Sequence, residues 1–266
     1  MTTALLTERD ERAPLVEGPH LSFSRINRYL HCPEQYRLYY IENLRPKFAP
    51  ASLVFGQIVH QALAFFFREQ DDPVRLFLNQ WNEAKGFDLD YGERESWDKL
   101  RVSGQALLAK FIQEEVDRLQ NVRAAEKTFE LRISTLSLPL VGVIDLLADL
   151  DGKPTVVDFK TAASAYQEHE VILSDQLTAY QLAEPQTEQT ALCVLVKTKL
   201  PKIEWHISER SPQRLAEFLE KIRYIAGEIA KRRFYKRPGK WCSWCDYLPV
   251  CTGDHQKVGE TLVQVR

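Results

Sequence analysis

Residues 142–161, GVIDLLADLDGKPTVVDFKT, hold two apolar runs separated by Asp151-Gly152. That dipeptide between such runs is a two-residue hairpin signal, because both turn positions need positive φ and these residue types tolerate it. With 151 and 152 as the loop, position 150 faces 153 and, counting outward, Asp145 stands opposite Asp158. Directly opposed residues have Cβ atoms about 4.5–5.5 Å apart, and like charges there destabilise unless something offsets them. Lys160 lies two residues beyond Asp158 and projects from the same face. The hairpin thus predicts two carboxylates and an ammonium in one patch. Both acids sit inside apolar runs expected to be buried, where an unpaired carboxylate is costly. A divalent cation would offset them; an ion pair with Lys160 is the structural alternative.

Working outward, the period changes on either side of this hairpin. Upstream, helical spacing is read at 22–40, broken by Cys32-Pro33, and at 53–67, 73–84 and 98–120, with an acidic loop at 86–98. FELRIST at 129–135 alternates and reads as a strand. Downstream, 168–183 reads as a helix, ALCVLVKT and KIEWHI as strands, and 211–233 as a long amphipathic helix opened by Ser211-Pro212. The expectation is an α/β (α+β) core with a central sheet and a helical N-terminal elaboration. One domain over 21–255 is expected, flanked by tails at 1–20 and 256–266.

Composition narrows the class. Of 266 residues, 44% are hydrophobic and 27% charged, which excludes a disordered or collagenous chain. Lys and Arg number 35 against 37 Asp and Glu, so the formal charge of -2 offers no global attraction to nucleic acid, and any basic footprint must be local. With no apolar run of about 18 residues and a charged start, the reading is a cytoplasmic protein with no membrane partner. In a reducing compartment clustered cysteines are poor disulfide candidates.

Two further segments carry chemistry. WCSWCDYLPVC places Cys242, Cys245 and Cys251 together, and Cys32 is the plausible fourth thiol, whereas Cys193 inside ALCVLV reads as a small core residue. Four thiolates suit iron–sulfur and zinc alike. Just upstream, KRRFYKRPGKW interleaves Arg232, Arg233, Lys236 and Arg237 with Tyr235 and Trp241. Such a mixture suits single-stranded nucleic acid, phosphates meeting cations and bases meeting rings; the alternative is a solvated helix end.

The residues 142–161 resemble the PD-(D/E)XK nuclease superfamily, in particular its RecB-like exonuclease branch. The resemblance implies a restriction-endonuclease-like core with a central mixed sheet. Asp145 in GVID and Asp158-Phe159-Lys160 would form its catalytic centre. It matches the branch's helical histidine to His60 in FGQIVHQAL and its Gln-x3-Tyr helix to Gln176 and Tyr180 in DQLTAYQ. Asp145, Asp158, the Phe159 carbonyl and His60 would then ligate Mg2+ or Mn2+, with Lys160, Gln176 and Tyr180 assisting. Gly56, four residues before His60, leaves room for a close approach. Glu126 resembles an acidic position of relatives, but its spacing is loose.

Cys32 with C-x2-C-x5-C resembles the iron–sulfur subset of this branch, which includes AddB-type repair subunits and CRISPR-associated exonucleases, and implies a 4Fe-4S cluster. The function so implied is a metal-dependent DNA exonuclease acting on single-stranded ends, in repair with a helicase or in a CRISPR integration complex. The alternative is a non-catalytic nucleic-acid-binding scaffold subunit that keeps the fold and the cluster. No Walker A pattern is present, so a motor would have to be supplied by a partner.

Overall fold

The structure is a computed structural model that describes residues 18–93 and 95–265. Most of the tail expected at 1–20 lies outside the described residues. The described residues divide into two compact units, one reaching to Ala49 and taking in Leu131–Val141 and the residues from Leu219, the other Pro50–Glu130 and Gly142–Phe218.

The second unit is a mixed sheet with helices. Strands β2 (Leu119–Leu131), β3 (Leu140–Leu150), β4 (Lys153–Ala162), β5 (Gln189–Val196) and β6 (Lys202–Ser208) order as β3-β4-β5-β6, with β2 also pairing β3. β3–β4 and β5–β6 are antiparallel, and β4–β5 is parallel. A parallel neighbour demands a crossover. Two short helices supply it, Glu168–Ile172 and Asp175–Ala183, in place of the single helix read at 168–183. The break falls at Leu173-Ser174, where the Ser174 hydroxyl caps the second helix by accepting from Leu177 N.

Alternation along β4 sends two sets of side chains to opposite faces. Val156 packs with Val171, Leu177, Tyr180 and Val194 under the crossover helices. Phe159 points the other way, stacking on Phe67 and meeting Phe111 edge-on. Those rings come from helices Ala51–Glu69 and Trp97–Glu114, which Pro73–Ala84 accompanies. The helix read to 120 ends at Glu114, and the strand expected at 129–135 begins at Leu119 and ends at Leu131.

In the first unit, helix Phe23–His31 is capped by Ser22 and stops at Cys32, whose extended backbone precedes Pro33. Strand β1 (Leu21–Ser22) lies parallel to Leu140-Val141. Near the C-terminus His255–Thr261 is helical, and Leu262–Gln264 pairs antiparallel with Leu44–Pro46. Leu38, Tyr39, Tyr247 and Leu262 form the core there, with the Tyr247 hydroxyl donating to Leu44 O at 2.8 Å.

Candidate active site

The hairpin forms as its sequence dictates. Asp151 and Gly152 both adopt positive φ, 51° and 83°, and Arg118 grips the Asp151 carboxylate at 2.6 and 3.0 Å. Five pairs run from Leu150↔Lys153 to Leu146↔Val157 in the register counted from the turn. The ladder stops there, so the Asp145↔Asp158 pair is not formed as expected. Antiparallel geometry would next have the Phe159 amide donate to Ile144; it donates instead to Asp145 Oδ2 at 2.9 Å. Ile144 and Leu147, three positions apart, both pack in the core under the crossover helices, so strict alternation fails at Asp145.

His60 meets Asp145 where the ladder stops. The helix Ala51–Glu69 delivers His60 Nδ1 to 3.1 Å from Asp145 Oδ2. Both residues are buried, 8% and 6% exposed. The space at Gly56 is taken by the Thr161 hydroxyl, which a Cβ there would meet at 3.2 Å. Asp158 is 1% exposed and forms an ion pair with Lys160 Nζ at 2.8 Å. Burial holds its carboxyl above the usual range; Lys160 opposes that shift, and the nearby Asp145 reinforces it. Carboxylates, ammonium and imidazole are thus electrostatic neighbours at the open end of one hairpin.

The helix Asp175–Ala183 completes the site. Gln176 Nε2 donates to Asp158 Oδ1 at 2.9 Å and to the Tyr180 hydroxyl at 2.8 Å, and that hydroxyl donates to Val143 O at 2.7 Å. The i,i+4 spacing lets one side chain hand on to the other. Sequence reasoning missed three contributors. The Phe129 ring lies on Gly142 and meets Tyr180 edge-on; a glycine inside a strand was the available signal. Tyr166 is half-buried, its hydroxyl pushed up by burial and sensing both Lys160 and Asp158. Arg210, which donates to Val171 O and Ile172 O at the end of the first crossover helix, carried no local signal. Glu126 pairs with Arg68 at 3.1 Å.

The donor set suits a hard cation: two buried carboxylates, Asp145 and Asp158, with the strand carbonyl of Phe159 next to Asp158 in sequence. Mg2+ keeps several waters and takes one or two carboxylates, so no cage of three side chains is required. Among the described residues no group of three or more His, Cys, Asp or Glu is gathered to hold a metal ion.

The first unit contains Cys32, Cys242, Cys245 and Cys251, all partly buried free thiols; Cys193 is a buried strand residue of the second unit. Burial pushes the Cys245 and Cys251 thiols up, and Cys32 adds to the shift of both. The basic segment holds this region together. Lys236 Nζ donates to Cys251 O at 3.0 Å, Arg237 donates to Leu30 O and stacks on Trp241, and Arg233 pairs with Glu228 at 3.1 Å. Tyr235 is exposed. Arg232 is exposed in a left-handed turn, φ 54°, past the end of helix Pro212–Ala230.

The sequence profile of the PD-(D/E)XK nuclease superfamily matches residues 20–252. No curated protein matches the chain. Among solved structures it is similar to a Eubacterium rectale protein named a candidate exonuclease, over 85% of this chain and 92% of that one, at TM-score 0.53 and 11% identity. That likeness bears on the fold alone. SSO0001 covers 93% of both chains at TM-score 0.48 and 15% identity, too distant to argue from.

Proposed function

The chain belongs to the PD-(D/E)XK nuclease superfamily, and from that premise we propose that it is a Mg2+- or Mn2+-dependent DNA exonuclease working at single-stranded ends. The carrying observation is the contact of Asp158 with both Lys160 and Gln176 at the end of a hairpin that also presents Asp145. Asp145, Asp158 and the Phe159 carbonyl would hold the ion, which when bound activates a water and offsets charge on the phosphoryl oxygens and leaving alkoxide.

The protein's own groups do the rest. Gln176 fixes Asp158 through Oδ1, and Lys160 supplies a point charge beside Oδ2 for the developing phosphoryl charge. His60 meets Asp145 through Nδ1, which supports an orienting role for it. The presence of all three of Asp145, Asp158 and Lys160 argues against the non-catalytic scaffold. Arg232, Tyr235 and Lys240, exposed beside the cysteines, offer the strand its contacts.

The same reading gives Cys32, Cys242, Cys245 and Cys251 a 4Fe-4S cluster that staples the first unit. What supports it is the spacing of Cys242, Cys245 and Cys251 and the placing of these three free thiols with Cys32 in one unit. Service in repair beside a helicase or in CRISPR integration is the physiological setting that accords with it.

Digestion of end-labelled linear single- and double-stranded DNA beside a closed circle, with Mn2+ present, tests the reading. Erosion of the single strand from its ends with the circle intact is expected. Rapid cutting of the circle would remove the exonuclease claim.

A further inference from the structure

We infer that Arg210 is a positioning residue of this site: it clamps the elbow between the two crossover helices and so sets Gln176 onto Asp158. The inference rests on the nuclease reading for its consequence, and on geometry for its substance.

Arg210 follows strand β6, and its side chain is turned inward, the residue 8% exposed. Two of its guanidinium nitrogens end on successive carbonyls, Nη2 on Val171 O at 2.8 Å and Nη1 on Ile172 O. These are the last two residues of the first crossover helix. Both carbonyls stand at a helix end, where acceptors are left over; Val171 O also accepts from Ser174 N at 3.2 Å, and a planar fork matches two adjacent oxygens in a way an ammonium does not. The arrangement is expensive. Nε is buried without a hydrogen-bond partner, and burial pulls the guanidinium down to about 10, with Asp175 partly opposing. A residue that only filled space would not carry this cost.

The elbow is short. Ser174, two residues past Ile172, caps the second helix, and Gln176 stands in its first turn. Gln176 Nε2 must reach Asp158 Oδ1 and the Tyr180 hydroxyl together, at 2.9 and 2.8 Å. Hydrogen bonds weaken steeply outside a narrow range of distance and angle. A small displacement of the elbow therefore breaks one or both. Arg210 makes no contact with the carboxylates; it acts through the helix start.

The test compares wild type with Arg210→Met, which removes the donors, and Arg210→Lys, which keeps one charge without the fork. Gln176→Ala and the double variant Arg210→Met/Gln176→Ala complete the set. Hydrogen exchange in the metal-free protein is the first readout. Arg210→Met should speed exchange in 171–180 and leave β4 and the cysteine-bearing unit unchanged, with Arg210→Lys intermediate. Cleavage of end-labelled single-stranded DNA with Mn2+ is the second. Arg210→Met should lower kcat by about tenfold at unchanged KM for DNA, in keeping with the cost of small misplacements, and should cost little more in the Gln176→Ala background.

Unaltered exchange in 171–180, uniformly faster exchange everywhere, or losses that multiply in the double variant would each overturn the inference. If wild type cleaves no DNA, the nuclease reading falls, and the exchange data still decide whether Arg210 holds the elbow.

Discussion

Gln176 Nε2 lies 2.9 Å from Asp158 Oδ1 and 2.8 Å from the Tyr180 hydroxyl, so one amide group ties a buried carboxylate to a phenol anchored on Val143 O. Gln176→Ala should therefore lower cleavage by about 10- to 100-fold, the usual effect of removing a partner that orients a ligating group. Tyr180→Phe, which leaves the Gln176–Asp158 bond in place, should cost less. Steady-state rates with Mn2+ decide; equal losses in both variants would contradict the chain of contacts.

Burial raises the Asp158 carboxyl, and the sign of its effect on stability follows. A group whose native pKa lies above its unfolded one stabilises the fold at pH below both values, and that stability is lost as pH rises through the native pKa. Asp158→Asn, which stays neutral, should melt higher than wild type at pH 7 in EDTA and lose the advantage at pH below the ordinary carboxylate range. Saturating Mn2+ should narrow the gap by stabilising wild type. Melting curves across pH check this; a lower melting temperature for Asp158→Asn in EDTA at pH 7 is the contrary result.

Two glycines separate tolerable from intolerable crowding. A Cβ at Gly142 would come within 2.7 Å of the Phe129 ring, which also buttresses Tyr180. Gly142→Ala should cost about 1–3 kcal/mol and lower activity with it. At Gly56 a Cβ meets only the Thr161 hydroxyl at 3.2 Å, and removing a helical glycine returns up to about 1 kcal/mol. Gly56→Ala should be near neutral or stabilising in thermal melts.

The cysteines give a visible readout. Protein purified without oxygen should be brown, with about four iron and four sulfide per chain. Cys32→Ser, Cys242→Ser, Cys245→Ser and Cys251→Ser should each bleach it, and Cys193→Ser, in the other unit, should not. Colourless wild type carrying stoichiometric zinc would replace the cluster with a zinc site.

The hairpin was legible because its determinants are local: Asp151-Gly152 sets the turn and the turn sets the register through Leu146↔Val157. What the count from the turn missed is the slip at Asp145, because nothing in the hairpin's own sequence shows its side chain taking over a backbone acceptor or His60 meeting it from another helix. Strand β2 was mistaken at both ends. Leu119 continues the helical apolar spacing, and QNVRAAEKT is too polar to announce a strand. HQKVGETLVQ has little periodicity, and its strand Leu262–Gln264 rests on pairing with Leu44–Pro46, far away in sequence. Arg210 belongs to the same class, since nothing near it in sequence reveals that it meets Val171 and Ile172.

The most direct test of the central claim is cleavage of end-labelled single-stranded DNA with Mn2+ by wild type, Asp145→Ala, Asp158→Ala and Lys160→Ala, with folding verified by circular dichroism. The account predicts that wild type degrades the strand, that EDTA stops it, and that all three folded variants leave it intact. Turnover at the wild-type rate by any folded variant would contradict the assignment of the hairpin as the site of phosphodiester hydrolysis.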